Sequence, residues 1–304
     1  MNRLKRRNLR NGILFALPWI IGFLVLQVFP IFYSFYLSFT RYNGLRAAVF
    51  IGLENFKTLF TDSMVGLSAF NTLYYTFWLI PIGVTLAITL ALAMNQKVDE
   101  VAVYRAIFYL PSVLPSFAMV FIWILFTNPQ YGVLNRLFVS LGLPYINWIG
   151  DPRFTKPSLV ILAQYGAGGP ALIYLASLRS IPKELYESAD IDGSGPFRKF
   201  RSITIPMITP IILFNIIWGI SGGLQAFTQA YLMSGSTSGQ DAMAGPGNSL
   251  LFYVFYIYRS AFMYSRMGYA AALSVMLFIA SIFIAFIVFR WGKSWVFYEV
   301  EHKK

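Results

Sequence analysis

The chain has no cysteine and a single histidine, His302, close to its C-terminal end. Without thiols there is no disulfide framework and no thiolate metal site. With one imidazole, zinc coordination and most general-base chemistry lose their usual residues, so no metal ligand and no catalytic residue is expected. Charge is scarce as well. Asp, Glu, Lys and Arg make up 12% of the 304 residues while 57% are hydrophobic, and a soluble domain carries roughly 25% charged residues. A length that would suit two soluble domains therefore reads as one integrated membrane domain. The net charge of +12 points to basic residues at a membrane edge rather than to nucleic acid. A phosphate-binding G-x4-G-K-[ST] loop is absent too: Gly292-Lys293-Ser294 supplies only its tail, with Ile287 where the first glycine belongs. Gly193-Ser194-Gly195 lacks a preceding strand and a suitably placed lysine.

What the chain does have is apolar length. A spanning helix needs about 20 mostly apolar residues, because lipid offers no partner to a bare amide. Six stretches qualify: 13–39, 69–94, 104–126, 158–178, 206–233 and 267–289. Only the third holds a charge, Arg105, at its first turn. The first is too long for a signal-peptide core and has no small-residue cleavage site, so it is expected to be retained. Residues 1–12 then form a basic N-terminus, 13–291 one transmembrane domain and 292–304 a tail.

Orientation follows from the basic residues. With the N-terminus inside, the cytoplasmic segments 1–12, 95–105, 178–205 and 290–304 hold 16 Lys and Arg in 66 positions. The outer segments 40–68, 127–157 and 234–266 hold 8 in 93. Both termini are expected in the cytoplasm. On the outer side, Tyr131–Leu143 carries apolar residues at helical spacing and is expected to lie along the membrane surface.

The connection 179–205 carries the most information. Ile181-Pro182 gives an extended start with proline in the first helical turn. Glu184, Glu187 and Ala189 favour a short helix with acid near its positive end. Gly193 and Gly195 allow a sharp turn. A solvated loop would account for the basic residues but not for a helix–Gly–helix element with exposed Tyr186, Phe197 and Phe200, which suggests a docking surface.

This loop resembles the EAA motif of ABC importer permeases, roughly E-A-A-x3-G-x9-I-x-L-P. Glu187, Ser188, Ala189, Gly193, Ile203, Ile205 and Pro206 match it at every spacing, with Ser188 and Ile205 as mild departures. Ile51–Phe56 (IGLENF), Tyr109–Asn135, Leu141–Pro152, Gln225–Tyr231 and Tyr256–Ser274 resemble the carbohydrate-uptake permeases of maltose and glycerol-phosphate type. The resemblance implies an all-α membrane protein, the type I ABC importer permease fold, with six transmembrane helices and a cytoplasmic coupling helix between spans four and five. It implies the cytoplasmic membrane of a prokaryote, a second homologous permease, two cytosolic ATP-binding subunits that hold ATP and Mg, and an extracytoplasmic solute-binding protein. ATPase coupling falls to Tyr186, Glu187, Ala189, Asp192, Gly193 and Phe197. One departure is the loop Ser234–Ser249, longer and richer in Gly and Ser than the family's Gly-Gly-Pro turn.

An ion-coupled secondary carrier is the alternative. Such carriers keep ionisable residues inside the membrane, and the span interiors here have none. Carbonyl-coordinated sodium leaves that alternative open.

Sugars are held by hydroxyl-matching polar groups and aromatic faces. The fourth stretch contains Gln164, Tyr165, Gly168 and Gly169 before Pro170, a run that interrupts a helix in mid-membrane. The fifth contains Asn215, Trp218, Gly219, Ser221, Gly222, Gly223 and Gln225. These are the candidate substrate-path residues. Gly219 and Gly223 form a G-x3-G that serves close helix packing equally well. Trp78, Trp123 and Tyr174 either line the path or anchor at the lipid interface. Pro81 and Pro111 are expected to kink their helices.

Overall fold

A computed structural model describes residues 3–96, 100–235 and 244–297. His302 and most of the Gly/Ser-rich loop, 236–243, lie outside the described residues. In chain order the helices begin with α1 (Arg3–Phe23), α2 (Phe29–Ser38), α3 (Glu54–Thr61), α4 (Ser63–Met94) and α5 (Val101–Val113). They continue with α6 (Ser116–Phe126), α7 (Val133–Ser140), α8 (Pro152–Ala163), α9 (Gly168–Ser180) and α10 (Lys183–Ile191). The last five are α11 (Pro196–Lys199), α12 (Ile205–Leu224), α13 (Thr228–Ser234), α14 (Tyr253–Tyr258) and α15 (Met267–Gly292).

Five helical rods are long and apolar enough to cross a membrane: Arg10–Ser38, Ser63–Met94, Pro152–Ser180, Pro196–Ser234 and Met267–Gly292. The stretch expected as one span over 104–126, with a kink at Pro111, is broken instead. α5 and α6 meet at 97°, and the pair makes a sixth span when it is counted as one. Pro111 stays inside α5. The break falls at Leu114, whose ψ of 140° is extended, because Pro115 sterically excludes the α region for the residue before it. α7 is an amphipathic helix within the stretch expected to lie on the surface.

Two rods contain a π turn directly upstream of a proline. Pro30 and Pro206 have no N–H, and each crowds the carbonyl four residues back, Leu26 or Ser202. Those carbonyls sit in the π turns Leu24–Val28 and Phe200–Thr204. The amide after each turn, Phe29 or Ile205, reaches back five residues to Leu24 or Phe200. Widening the helix by one residue accommodates the ring without ending the rod.

The helices form two compact units. The first comprises the chain up to Ser63 with Ile257–Ile279. Its first rod is bare along its whole apolar window, as a helix facing lipid should be. Its polar end is fastened by Asn55, buried within the IGLENF segment, whose side-chain amide donates to the Ser38 and Thr40 carbonyls at 2.9 Å each. That holds the two-residue hairpin β1 (Thr40–Arg41) and β2 (Val49–Phe50), in which Thr40 faces Phe50. Gly268, at the start of α15, lies where a Cβ would sit 2.0 Å from the Thr40 carbonyl, so only glycine allows the approach.

The second unit comprises Met64–Tyr256 and the chain from Ala280 onward. Its core joins Ala87, Ala91 and Met94 of α4 to Ala171, Tyr174, Leu175 and Leu178 of α9 and Ile208 of α12. Alanines four apart let α4 approach closely, the small-residue packing that membranes favour where apolar burial gives little. Asn71 of α4 donates to the Asn248 and Leu251 carbonyls at 2.9 and 3.1 Å and accepts from Lys156 Nζ at 3.0 Å. Asp151 caps α8 by accepting from the Arg153 amide at 2.9 Å, and the Arg153 guanidinium beside it holds its carboxyl below the usual range.

Candidate functional site

α10, between two spanning rods, and α11 after it contain no buried residue. Gly193 has a φ of +70°, a left-handed conformation that glycine adopts without a Cβ penalty. The Gly193 amide donates to Asp190 O at 3.0 Å and the Ser194 amide to Ala189 O at 2.8 Å. These are the two bonds of a Schellman cap. The Ala-x3-Gly spacing of residues 189–193 is thus the spacing such a cap requires. Lys199 pairs with Asp190, tying α11 back to α10.

The side chains of this element divide into two sets. Ile191 is 88% exposed and Phe197 75% exposed, and Glu187, Asp192 and Gly193 are exposed with them. Tyr186, expected on the surface, turns inward instead. Its hydroxyl shares a 2.9 Å hydrogen bond with Thr204 Oγ1, and its ring packs against the core of α4, α9 and α12. The reason is helical phase: Tyr186 sits on the side of α10 turned to the core that Ile203 and Ile205 also pack against. Phe200, also expected to be exposed, is half-buried in the π turn, and Ala189 is half-buried too. Ile191 and Thr204 did not stand out in the sequence. Ile191 is an aliphatic residue between Asp190 and Asp192 at the end of a helix rich in charge, which was the available signal.

A second feature lies within the spans. A cleft of about 200 Å³ opens between α4, the α8–α9 break and α12. The interruption expected near Gln164 is a 3-10 turn, Gln164–Ala167. Gln164 and Asn215 line the cleft, each donating one N–H to its own helix, at Val160 O (2.9 Å) and Ile211 O (3.0 Å). Tyr174 lines it as well. Its side chain is fully buried, which removes the lipid-anchor reading for this tyrosine. Trp218 is 73% exposed at the rim and stacks on Phe214 at 6.3 Å. Ser221 and Gln225 continue the same bare stripe of α12, joined by a 3.0 Å bond. Uncharged amides, a phenol and an indole suit a neutral, hydroxyl-rich ligand.

The glycines separate by surroundings. A Cβ on Gly223 would lie 2.6 Å from Thr76 Oγ1, one on Gly219 3.1 Å from Ile80, and one on Gly168 2.2 Å from the Phe108 carbonyl. These three sit where helices pack closely. Gly169 and Gly222 meet nothing within 4 Å. Tyr165 is half-buried beside the cleft-lining Gln164 and Gly166. Trp123 donates to Ser158 Oγ at 2.8 Å, joining α6 to α8, and Trp78 is exposed.

Comparison with known proteins places this geometry. Residues 80–294 match the family described as binding-protein-dependent transport system inner membrane component. The chain is 35% identical over 303 residues to the probable ABC transporter permease protein YesP of Bacillus subtilis, covering 97% of this chain and 96% of that one. It is 30% identical to the arabinooligosaccharides transport system permease protein AraP of the same organism, over 92% of this chain and 88% of the relative. Among solved structures, a bacterial alginate ABC transporter, in complex with alginate pentasaccharide-bound periplasmic protein, superposes with a TM-score of 0.80 at 25% identity. That match covers 94% of this chain and 96% of that one.

Proposed function

The chain belongs to the binding-protein-dependent transport system inner membrane components, and from that premise we propose how this permease subunit of a sugar ABC importer divides its work. It is a multi-pass protein of the inner membrane, with both termini in the cytoplasm and α10 projecting there. Ile191 and Phe197, with the exposed Glu187, Asp192 and Gly193 around them, dock into a cleft of a separate ATP-hydrolysing subunit, which holds the ATP and Mg. Tyr186 carries the motion of the docked helix into the foot of α12. A second permease, different from this chain, covers the bare Trp218–Gln225 stripe, so that the two together enclose the path. An extracytoplasmic binding protein delivers the substrate.

The substrate is a neutral oligosaccharide or a related carbohydrate. Gln164, Tyr174 and Asn215 offer hydrogen bonds to its hydroxyls and Trp218 a face for its ring. Gly168, Gly219 and Gly223 set how closely the walls approach, and Tyr165, Gly169 and Gly222 border the space. ATP binding closes the partner ATPases, α10 moves with them, and the path turns outward to receive the sugar. Hydrolysis resets it.

One observation carries this reading. A short capped helix and the turn after it stand in solvent, show the bare side chains of Ile191 and Phe197, and are bonded through Tyr186 to the span that lines the cleft. The test is an affinity pull-down of the detergent-solubilised chain, with ATPase activity assayed on what co-purifies. A second permease and an ATPase in the eluate support the reading. A chain that purifies alone and moves solute down an ion gradient overturns it.

A further inference from the structure

The segment that follows α15 returns to the foot of α12. A Cβ on Gly292 would meet Leu213 Cδ2 at 2.8 Å, so the helix end lies tight against α12. Beyond it, the Phe297 amide donates to Thr209 Oγ1 at 2.9 Å. Thr209 is buried and in turn donates to the Pro206 carbonyl at 2.6 Å.

The sequence explains why that carbonyl needs help. In an α-helix the Pro206 carbonyl would accept from residue 210, but residue 210 is a proline with no N–H. Pro206 likewise withholds the amide that would satisfy Ser202, inside the π turn. Two prolines four apart therefore weaken consecutive turns where α12 leaves the connecting loop. Two separate grips close on this stretch: Tyr186 of α10 through Thr204, and the C-terminal segment through Thr209.

We propose that Gly292–Phe297 is a clamp on this hinge and that Thr209 is the positioning residue through which it holds. The clamp stiffens the proline-weakened turn, so a displacement of α10 is passed up α12 rather than absorbed at the hinge. The C-terminal segment is then a second input to transport, beside the coupling helix. The proposal rests on the assignment of α10 as the helix that meets the ATPase.

The experiment uses the full-chain complex in proteoliposomes, reading sugar transported per ATP hydrolysed and ATP hydrolysis without sugar. Thr209→Val keeps the side-chain shape and removes the hydroxyl. Thr209→Ser keeps the hydroxyl. Gly292→Leu pushes the segment away while leaving the Thr209–Pro206 bond intact. Thr209→Val and Gly292→Leu are expected to lower sugar per ATP by fivefold or more, with sugar-independent hydrolysis raised, while Thr209→Ser stays within twofold of wild type. An unchanged ratio in Gly292→Leu, or equal loss in the Ser and Val variants, overturns the clamp, since either means that the hinge does not need the segment. Failure of the underlying reading looks different: Ile191→Asp would then leave ATPase retention unchanged, which the Thr209 variants do not touch.

Discussion

Tyr186 on α10 and Thr204 in the π turn below α12 share a 2.9 Å hydrogen bond between their hydroxyls. Together with the Asp190–Lys199 pair it joins the exposed helix to the rod whose α12 lines the cleft. Removing it with Tyr186→Phe costs about 1 kcal/mol, the net worth of a neutral hydrogen bond, and leaves the ring packed. The variant should bind its ATPase partner as wild type does but show sugar-stimulated hydrolysis reduced several-fold. Pull-down and ATPase assays on the same preparation separate the two effects. Equal stimulation in both proteins would remove Tyr186 from the coupling path.

Ile191 is expected to behave in the opposite way. Almost fully exposed, it contributes little to folding, and surface substitutions stay within about 0.5 kcal/mol. Ile191→Asp should leave thermal stability in detergent unchanged while the ATPase no longer co-purifies. A desolvated carboxylate in the partner's cleft would be costly. Retention of the ATPase by this variant would mean that docking does not use the apolar tip of α10.

Gly193 tests the cap. No neighbour lies within 4 Å of a Cβ there, so Gly193→Ala meets no clash and pays only for the left-handed backbone, about 1–2 kcal/mol. It should lower transport while the protein remains inserted. Gly193→Pro, whose ring cannot reach a φ of +70°, should abolish coupling. Full uptake by the proline variant would show that the turn's geometry is dispensable.

How much of this was readable beforehand depends on what imposed each feature. The lipid demands long apolar runs, so all six stretches were legible, as was the Ala189–Gly193 spacing that a left-handed cap imposes. The bend at Leu114 was not. Tyr109–Val120 carries no charge and has prolines at 111 and 115, and nothing local says which one breaks the helix. The inward turn of Tyr186 depends on where Ile203 and Ile205 lie, and the grip on Thr209 depends on a segment 88 residues away. Asn55 stood inside a recognised segment, but its purpose rests on two carbonyls outside that segment. Local chemistry marks positions; long-range partners decide what the positions do.

Asn55→Ala should therefore act on stability rather than on transport chemistry. It deletes two bonds from a buried side chain and leaves the Ser38 and Thr40 carbonyls short of donors, a cost of about 1–3 kcal/mol for each unsatisfied group. A fall in the unfolding temperature of the purified complex by several degrees is expected, with the affinity for sugar retained. An unchanged unfolding temperature would mean that the end of α2 is fastened by other contacts.

The glycines of α12 separate packing from substrate contact. Gly223 lies against Thr76, with room for no Cβ, whereas Gly222, one residue away, faces open space on the side of Ser221. Gly223→Val drives two methyls into α4, and overpacking of this kind costs about 1–3 kcal/mol. It should reduce the yield of assembled protein. Gly222→Val meets nothing within 4 Å in this chain and should fold normally. If Gly222 borders the sugar, the half-saturating sugar concentration rises while ATPase retention stays constant. If Gly222 instead meets the second permease, co-purification of that subunit falls and the sugar dependence of whatever assembles is unchanged. Measuring both quantities on one variant therefore assigns the bare stripe of α12 to ligand or to partner.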